Sequence, residues 1–357
     1  MTDRQTNYNS IDLMKFICSL LVVLIHCVNA ETLNNTTDLI NYVIRNVIAR
    51  IAVPLFFISS GFFLYRKTTL NEFSLKHTKE YVIKLLRFYI IWSLIYLPLS
   101  IEKILQNEQG VVHAILEYLR DFVFISSYVH LWYLPATIFA VLLVSYLISK
   151  KVDLKRILLI SSIFYFIGLF GQSWFGLFRP FIAHIPYLVS RIFNLTIRTT
   201  RNGLFDAFIF VTLGANIAFN GFNFKQNKAI LLFLISFALL NIEAIYTMKM
   251  DFILTNSNDM YFFLVPVAYF AFGIISNIHL NGKVCFYKIL RIISSLIYFV
   301  HYLIRYLILK FFAFLSYPMS NSYLLFVIVS LASIAVSYII YMFSQKKYFK
   351  WMKNLYS

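Results

Sequence analysis

Apolar stretches of roughly 17–25 residues follow one another along this chain, separated by short polar breaks. That is the length a helix needs to cross the hydrocarbon core of a bilayer. The pattern predicts ten helices, at about 11–30, 40–64, 84–101, 131–149, 157–172, 204–220, 229–247, 260–276, 291–313 and 322–343. The fold class expected is therefore all-α, a polytopic integral membrane protein of about ten transmembrane helices. One transmembrane domain is expected over 1–343, followed by a short basic tail over 344–357, QKKYFKWMKNLYS from Gln345 on. The stretch 178–200 breaks the pattern: its arginines, with Pro180 and Pro186, point to a re-entrant or interfacial piece instead of a span.

Polar breaks give the orientation. With the N-terminus inside, the inner segments hold 21 Lys and Arg and the outer ones 8, while Arg45, Arg50 and Arg305 fall within spans. Positive charge stays on the cytoplasmic side, so both termini are expected there, in the cell membrane. The four arginines of 173–203 run against this bias and are expected to face a site. The first run has a Val28-Asn29-Ala30 end like a signal-peptide cleavage site. Asp3 and Asp12 cancel Arg4 and Lys15, however, so the segment before it is not positive and the run is expected to stay.

Composition agrees with the pattern and removes other classes. Of 357 residues, 60% are hydrophobic and 13% charged, about half the charge of an ordinary soluble domain. The mean hydropathy is +0.74. The net charge of +17 is accounted for by loop anchoring, so no nucleic acid partner is expected; the lipid bilayer is. Cys18, Cys27 and Cys285 are odd in number and lack ligand spacing, so neither a disulfide framework nor a metal is expected. His77, His113, His184 and His279 are read as loop residues without metal-ligand spacing. There is no His-Glu-x-x-His, Walker A or Gly-x-Ser-x-Gly motif.

Against this background the first helix stands out. It turns about 100° per residue, so Asp12, Ser19 and His26 lie within about 60° of Lys15 on one face. Lys15 and His26 are about 16 Å apart along the axis. A snorkelling lysine and a hydrogen-bonded packing histidine would account for both. Ionisable groups in a span more often face a cavity or a partner, which favours a site. A neutral imidazole is the usual general base near pH 7. Cys27 points about 100° away from His26.

Further polar positions have the right spacing. Ser294, Tyr298, His301 and Arg305 line one face of the ninth helix, with Glu243 as the expected partner of Arg305. Lys84 and Arg87 share a face at the start of the third helix. Arg50, one turn before Pro54, is placed to stabilise an oxyanion, while Arg45 reaches the interface. Ser59, Ser60 and Gly61 are read as close helix packing. Trp132 belongs to the aromatic belt, and His130 is a candidate acceptor contact.

The stretch IDLMKFICSLLVVLIHC resembles the first helix of the acyltransferase-3 family of membrane O-acyltransferases, where an Asp precedes a basic residue, ten further residues and a His. Here these are Asp12, Lys15 and His26. RIAVPLFFISSGFFLYRK (50–67), KLLR (84–87), HLWYLPATIF (130–139) and LRIISSLIYFVHYLI (290–304) are similar to later family stretches, in order. The family more often has Arg where Lys15 and Lys84 stand. A finer similarity, carried by TRNGLF (200–205) and MYFFLVPVAYFAF (260–272), is to the membrane half of the membrane-bound serine racemases of vancomycin resistance. Since this sequence stops at 357, racemase activity is not expected.

The resemblance implies an acyltransferase that moves an acyl group, acetyl by expectation, from cytoplasmic acetyl-CoA or another acyl-CoA. The acceptor would be a hydroxyl of a cell-envelope glycan or lipid-linked sugar. His26 would be the base, with Asp12, Arg50 and His301 as further catalytic candidates. Lys15, Lys84 and Arg87 would hold the donor. An envelope-biosynthesis partner protein is expected for any further relay. Two other readings stand beside it: transport of a small polar substrate such as L-serine along the same stripe, and a non-catalytic subunit of an envelope assembly.

Overall fold

The computed structural model describes residues 8–28, 35–70, 73–182, 199–250, 259–317 and 319–357, and is all-helical there. Most of the ambiguous stretch 178–200, with His184 and Pro186, lies outside the described residues. Among the described residues twelve helices follow in order: α1 (Asn9–Cys27), α2 (Thr36–Tyr65), α3 (Leu75–Leu105), α4 (Val111–Phe124), α5 (Tyr133–Ser149), α6 (Leu154–Leu169), α7 (Phe175–Ile182), α8 (Gly203–Asn220), α9 (Gln226–Lys249), α10 (Leu264–Ser276), α11 (Val284–Phe314) and α12 (Ser322–Ser344). A nine-residue 3-10 helix, Lys347–Leu355, ends the chain. Among the described residues, α1, α2, α3, α8, α9, α11 and α12 are long and apolar enough to cross a membrane, and α5 and α10 are shorter apolar helices. All ten predicted spans are helices, and the protein is a multi-pass membrane protein.

The helix ends follow from local chemistry. Asn321 Oδ1 accepts the N–H groups of Tyr323 and Leu324 at the start of α12, and Asn202 Oδ1 does the same for Leu204 and Phe205 at the start of α8. These side chains satisfy donors that a helix leaves open at its first turn. Helix α2 is irregular within: a π turn over Ile44–Ile48 is followed by a 3-10 turn over Ala49–Ile51. Pro54 brings no N–H for the carbonyl of Arg50, so a regular ladder cannot continue there.

Two features differ from expectation and one agrees. Helix α4 occupies part of a stretch read as loop, and His113 lies on it, 3.8 Å from Glu117. Val112, Ile115, Leu116, Leu119 and Val123 are exposed on α4 and Ala114 is its buried residue, the pattern of an interfacial amphipathic helix. His77 sits in the first turn of α3, 3.6 Å from Glu80. His279 follows α10 in a connecting segment, as expected.

Within the described chain two compact units form. The first takes Met1–Phe56, Phe222–Phe237 and Pro266–Ser357; the second takes Phe57–Gly221 and Ala238–Val265. In the first, α1 packs on α11 and α12, which pack on each other, and the irregular turns of α2 lie against α1. Its core includes Val23, Cys27, Ile293, Ile297, Leu325 and Val329. In the second unit, α5, α6 and α8 pack together and α3 lies on α5. There Gly61 and Gly214 let α2 and α8 touch by their backbones. A Cβ on Gly61 would strike the Val211 carbonyl, and one on Gly214 the Ile58 carbonyl. Ser60 Oγ meets the Tyr133 hydroxyl at 2.9 Å, so the expected packing role of this stretch includes a polar contact.

Candidate functional site

The first unit brings the polar faces of α1 and α11 together. At one end Ser294 Oγ donates to the Lys15 carbonyl at 2.8 Å. At the other, the His26 and His301 rings stack, with centroids 5.3 Å apart and planes inclined by 30°. The two helices therefore run side by side in the same direction, with their predicted stripes facing.

His301 is fully buried, and His26 is half-buried. The Nδ1 of His301 lies 3.0 Å from the Ile297 carbonyl. A carbonyl only accepts, so Nδ1 carries a proton, and in the neutral ring Nε2 then carries the lone pair. The edge of Tyr302 closes on His26, with ring centroids 5.3 Å apart and planes at 74°. Arg305 lies 5.7 Å from the Tyr302 ring. The pair is thus held between aromatic rings and a guanidinium, in a span otherwise made for lipid.

The last turn of α1 is held from α2. Arg45 Nε donates to the Ile25 carbonyl at 3.1 Å, next to His26. A cation is favourable there, because the final carbonyls of a helix carry the negative end of its dipole. Arg45 sits in the π turn and Arg50 in the 3-10 turn, both of which pack on α1. Arg50 is 8% exposed. Leu24, Ile25, Val28 and Ala49 form the small core joining these turns to α1.

At the other end, Asp12 is buried and Arg291 Nε lies 3.9 Å from its Oδ1. Asp12 and His26 are about 21 Å apart along α1, so the carboxylate does not touch the imidazole. Its place is one turn before Lys15, where it faces a second cation. Ser19, also on the predicted stripe, donates to the Phe16 carbonyl at 2.7 Å within its own helix.

Of the sequence candidates, His26, His301, Arg50, Lys15 and Asp12 all belong to this first unit, the histidines at one end of α1 and Asp12 and Lys15 toward the other. Lys84 and Arg87 belong to the second. Arg87 is exposed, and Lys84 Nζ lies 5.5 Å from the Phe88 ring. His130 is 2% exposed and set against Tyr96, with centroids 4.8 Å apart. Trp132 carries Arg201 over its ring at 4.8 Å, and Arg201 pairs with Asp259 at 2.8 Å.

Glu243 and Arg305, matched by depth in the sequence, each make contacts within their own unit. Glu243 accepts from Trp174 Nε1 and from the N–H groups of Phe262 and Phe263, at 2.7–2.9 Å. Arg305 lies beside the Cys27 thiol and Tyr302. Sequence reasoning missed Tyr302, Arg291 and the clamp made by Arg45. Arg291 lies three residues before Ser294, so extending the predicted stripe by one turn finds it.

Fold and site together define a multi-pass membrane protein with a paired-histidine centre between two of its spans. The chain belongs to the acyltransferase-3 family: the model described as "Acyltransferase domain" matches residues 8–342. A protein named "Amino-acid racemase" from Enterococcus faecalis is 31% identical over 280 residues, 78% of this chain and 37% of that protein. A "Serine/alanine racemase" from Enterococcus gallinarum is 31% identical over 271 residues, 75% of this chain and 37% of that one. The chain therefore spans little more than a third of the length of these relatives. No solved structure matches.

Proposed function

We propose that this protein is a membrane O-acyltransferase that moves an acyl group, acetyl in the first instance, from acyl-CoA to a hydroxyl of a cell-envelope glycan or lipid-linked sugar. The observation that carries the proposal is the His26–His301 stack, on the same face of α1 as Lys15. His26, the more open of the two, takes the proton of the acceptor hydroxyl while its oxygen bonds to the thioester carbonyl carbon. The C–S bond then breaks. The acyl group stays on the acceptor oxygen, and the imidazolium returns its proton to the departing thiolate. His301, with Nδ1 tied to Ile297, positions the His26 ring. Arg50 is the candidate for stabilising the oxyanion that forms between these steps.

Lys15, with Arg291 beside Asp12, offers positive charge to the phosphates of the donor, and the rise to His26 of about 16 Å suits an extended thioester arm. Lys84 and Arg87, carried by the second unit, remain proposed phosphate contacts on the resemblance alone. The donor end then faces the cytoplasm, with both termini on that side. No metal is required by this chemistry.

A second reading, transport of a small polar substrate such as L-serine, is favoured by the names of the relatives, two of which are racemases of amino acids. One titration separates the two. Purified protein should bind acetyl-CoA, and Lys15→Met should raise its Kd about tenfold. Wild-type protein that binds no acyl-CoA, yet takes up serine in proteoliposomes, would replace acyl transfer by transport.

A further inference from the structure

The terminal 3-10 helix, Lys347–Leu355, has no part in the site. It begins three residues after α12 ends and is fastened to that helix: the Ser344 and Tyr356 hydroxyls, both buried, meet at 2.6 Å, and the Phe343 and Phe349 rings pack edge to face at 5.3 Å. A 3-10 helix has three residues per turn, so positions i, i+3 and i+6 fall in one row. The sequence sorts into three such rows. Phe349, Met352 and Leu355 form the least exposed. Lys347, Lys350 and Lys353 form the second, all exposed. Tyr348, Trp351 and Asn354 form the third, with Tyr348 88% and Trp351 59% exposed. Lys346 joins the basic side just before the helix, and residues 344–357 contain no Asp or Glu.

We infer that this helix is a binding surface for anionic phospholipid headgroups. Its position fixes its surroundings: it leaves a membrane span directly and is fastened to the end of that span. Exposed Trp and Tyr side chains suit the headgroup level, where an apolar ring and a polar edge are both accommodated. A row of lysines about 6 Å apart alongside them presents charge to phosphates at that same level. The occupant is thus the leaflet at the open end of α12. Three lysines near a charged membrane surface shift the bound fraction by on the order of a hundredfold, and salt weakens the shift.

The test uses the whole 357-residue chain in nanodiscs, of phosphatidylcholine alone or with one third phosphatidylglycerol. Lysine acetylation is followed residue by residue by mass spectrometry, with exposed Lys76 and Lys79 as internal references. Lys347, Lys350 and Lys353 should react at least tenfold more slowly in the anionic discs, and high salt should abolish the difference. The triple variant Lys347→Gln/Lys350→Gln/Lys353→Gln keeps the packed row intact and should retain fewer phosphatidylglycerol molecules in native mass spectrometry. Equal reactivity in both discs overturns the inference. Protection in native membranes but in neither disc also overturns it, and assigns the surface to an acidic protein partner.

Discussion

Replacing Arg45 with methionine removes the guanidinium that holds the last turn of α1 while keeping an apolar side chain of similar reach. The contact of interest is the Nε–H donation to the Ile25 carbonyl. A hydrogen bond from a charged donor contributes about 1.5–3 kcal/mol, and a partly buried cation at a helix C-terminus up to about 2 kcal/mol; both describe the same contact here, so about 2 kcal/mol is the expected loss. Thermal unfolding should then begin a few degrees lower. Activity should fall further than stability explains. His26 is the next residue after Ile25, and a displacement of about 1 Å at a reacting group costs on the order of 10²-fold in rate. The assay is acetyl-CoA turnover in detergent below the unfolding range, reading kcat and KM separately. The account expects kcat down by about 10²-fold with donor KM unchanged, and partial recovery in Arg45→Lys, which can still donate to the carbonyl. A methionine variant with normal kcat would refute the claim that this clamp positions His26. A raised donor KM at normal kcat would instead place Arg45 on the substrate.

Three further outcomes follow from the geometry. His301→Phe keeps the buried ring beside His26 but removes both nitrogens; kcat should fall by about 10²–10⁴-fold at unchanged acetyl-CoA affinity, and an active variant would leave His301 as packing alone. Glu243→Gln turns one accepting oxygen into a donor toward a backbone N–H, because the carboxylate accepts from Phe262, Phe263 and Trp174 together. The cost should be about 2–3 kcal/mol, seen as a lower unfolding midpoint by tryptophan fluorescence, whereas an unchanged midpoint would mean that these bonds are not formed. Lys15→Met should act on donor binding without a change in kcat, opposite to the histidine variants; a fall in kcat alone would move Lys15 out of the phosphate site.

The spans were legible because each is a long apolar run whose length the bilayer dictates. Lys15 and His26 were legible as a pair because a 100° step puts them on one face, and His301 because it lies on a stripe of spacing 4, 3 and 4. What the sequence did not carry is which stripe faces which. The meeting of α1 and α11 joins residues some 275 positions apart, and helical periodicity is silent about such contacts. The same limit holds for Glu243: similar depth in two spans does not select a partner, and the N–H groups of Phe262 and Phe263, just before α10, bond to its carboxylate. The place of Arg45 in the outer part of its span suggests the interface and does not reveal its bond to the Ile25 carbonyl. The π turn at Ile44–Ile48 changes which way the following side chains point, and single-sequence periodicity does not reveal one extra residue in a turn. Helix α4 was missed because its apolar face is narrow and its polar residues lower the average over any window as long as a span.

The most direct test of the central claim is a single turnover of radiolabelled acetyl-CoA by wild type and His26→Ala, each first shown by size exclusion and thermal unfolding to be folded. The account predicts that wild type cleaves the thioester slowly to water, and faster with an acceptor hydroxyl present. His26→Ala should bind the donor equally well and cleave it at least about 10²-fold more slowly. Equal cleavage by the two proteins, with the donor bound by both, would contradict the assignment of His26 as the base.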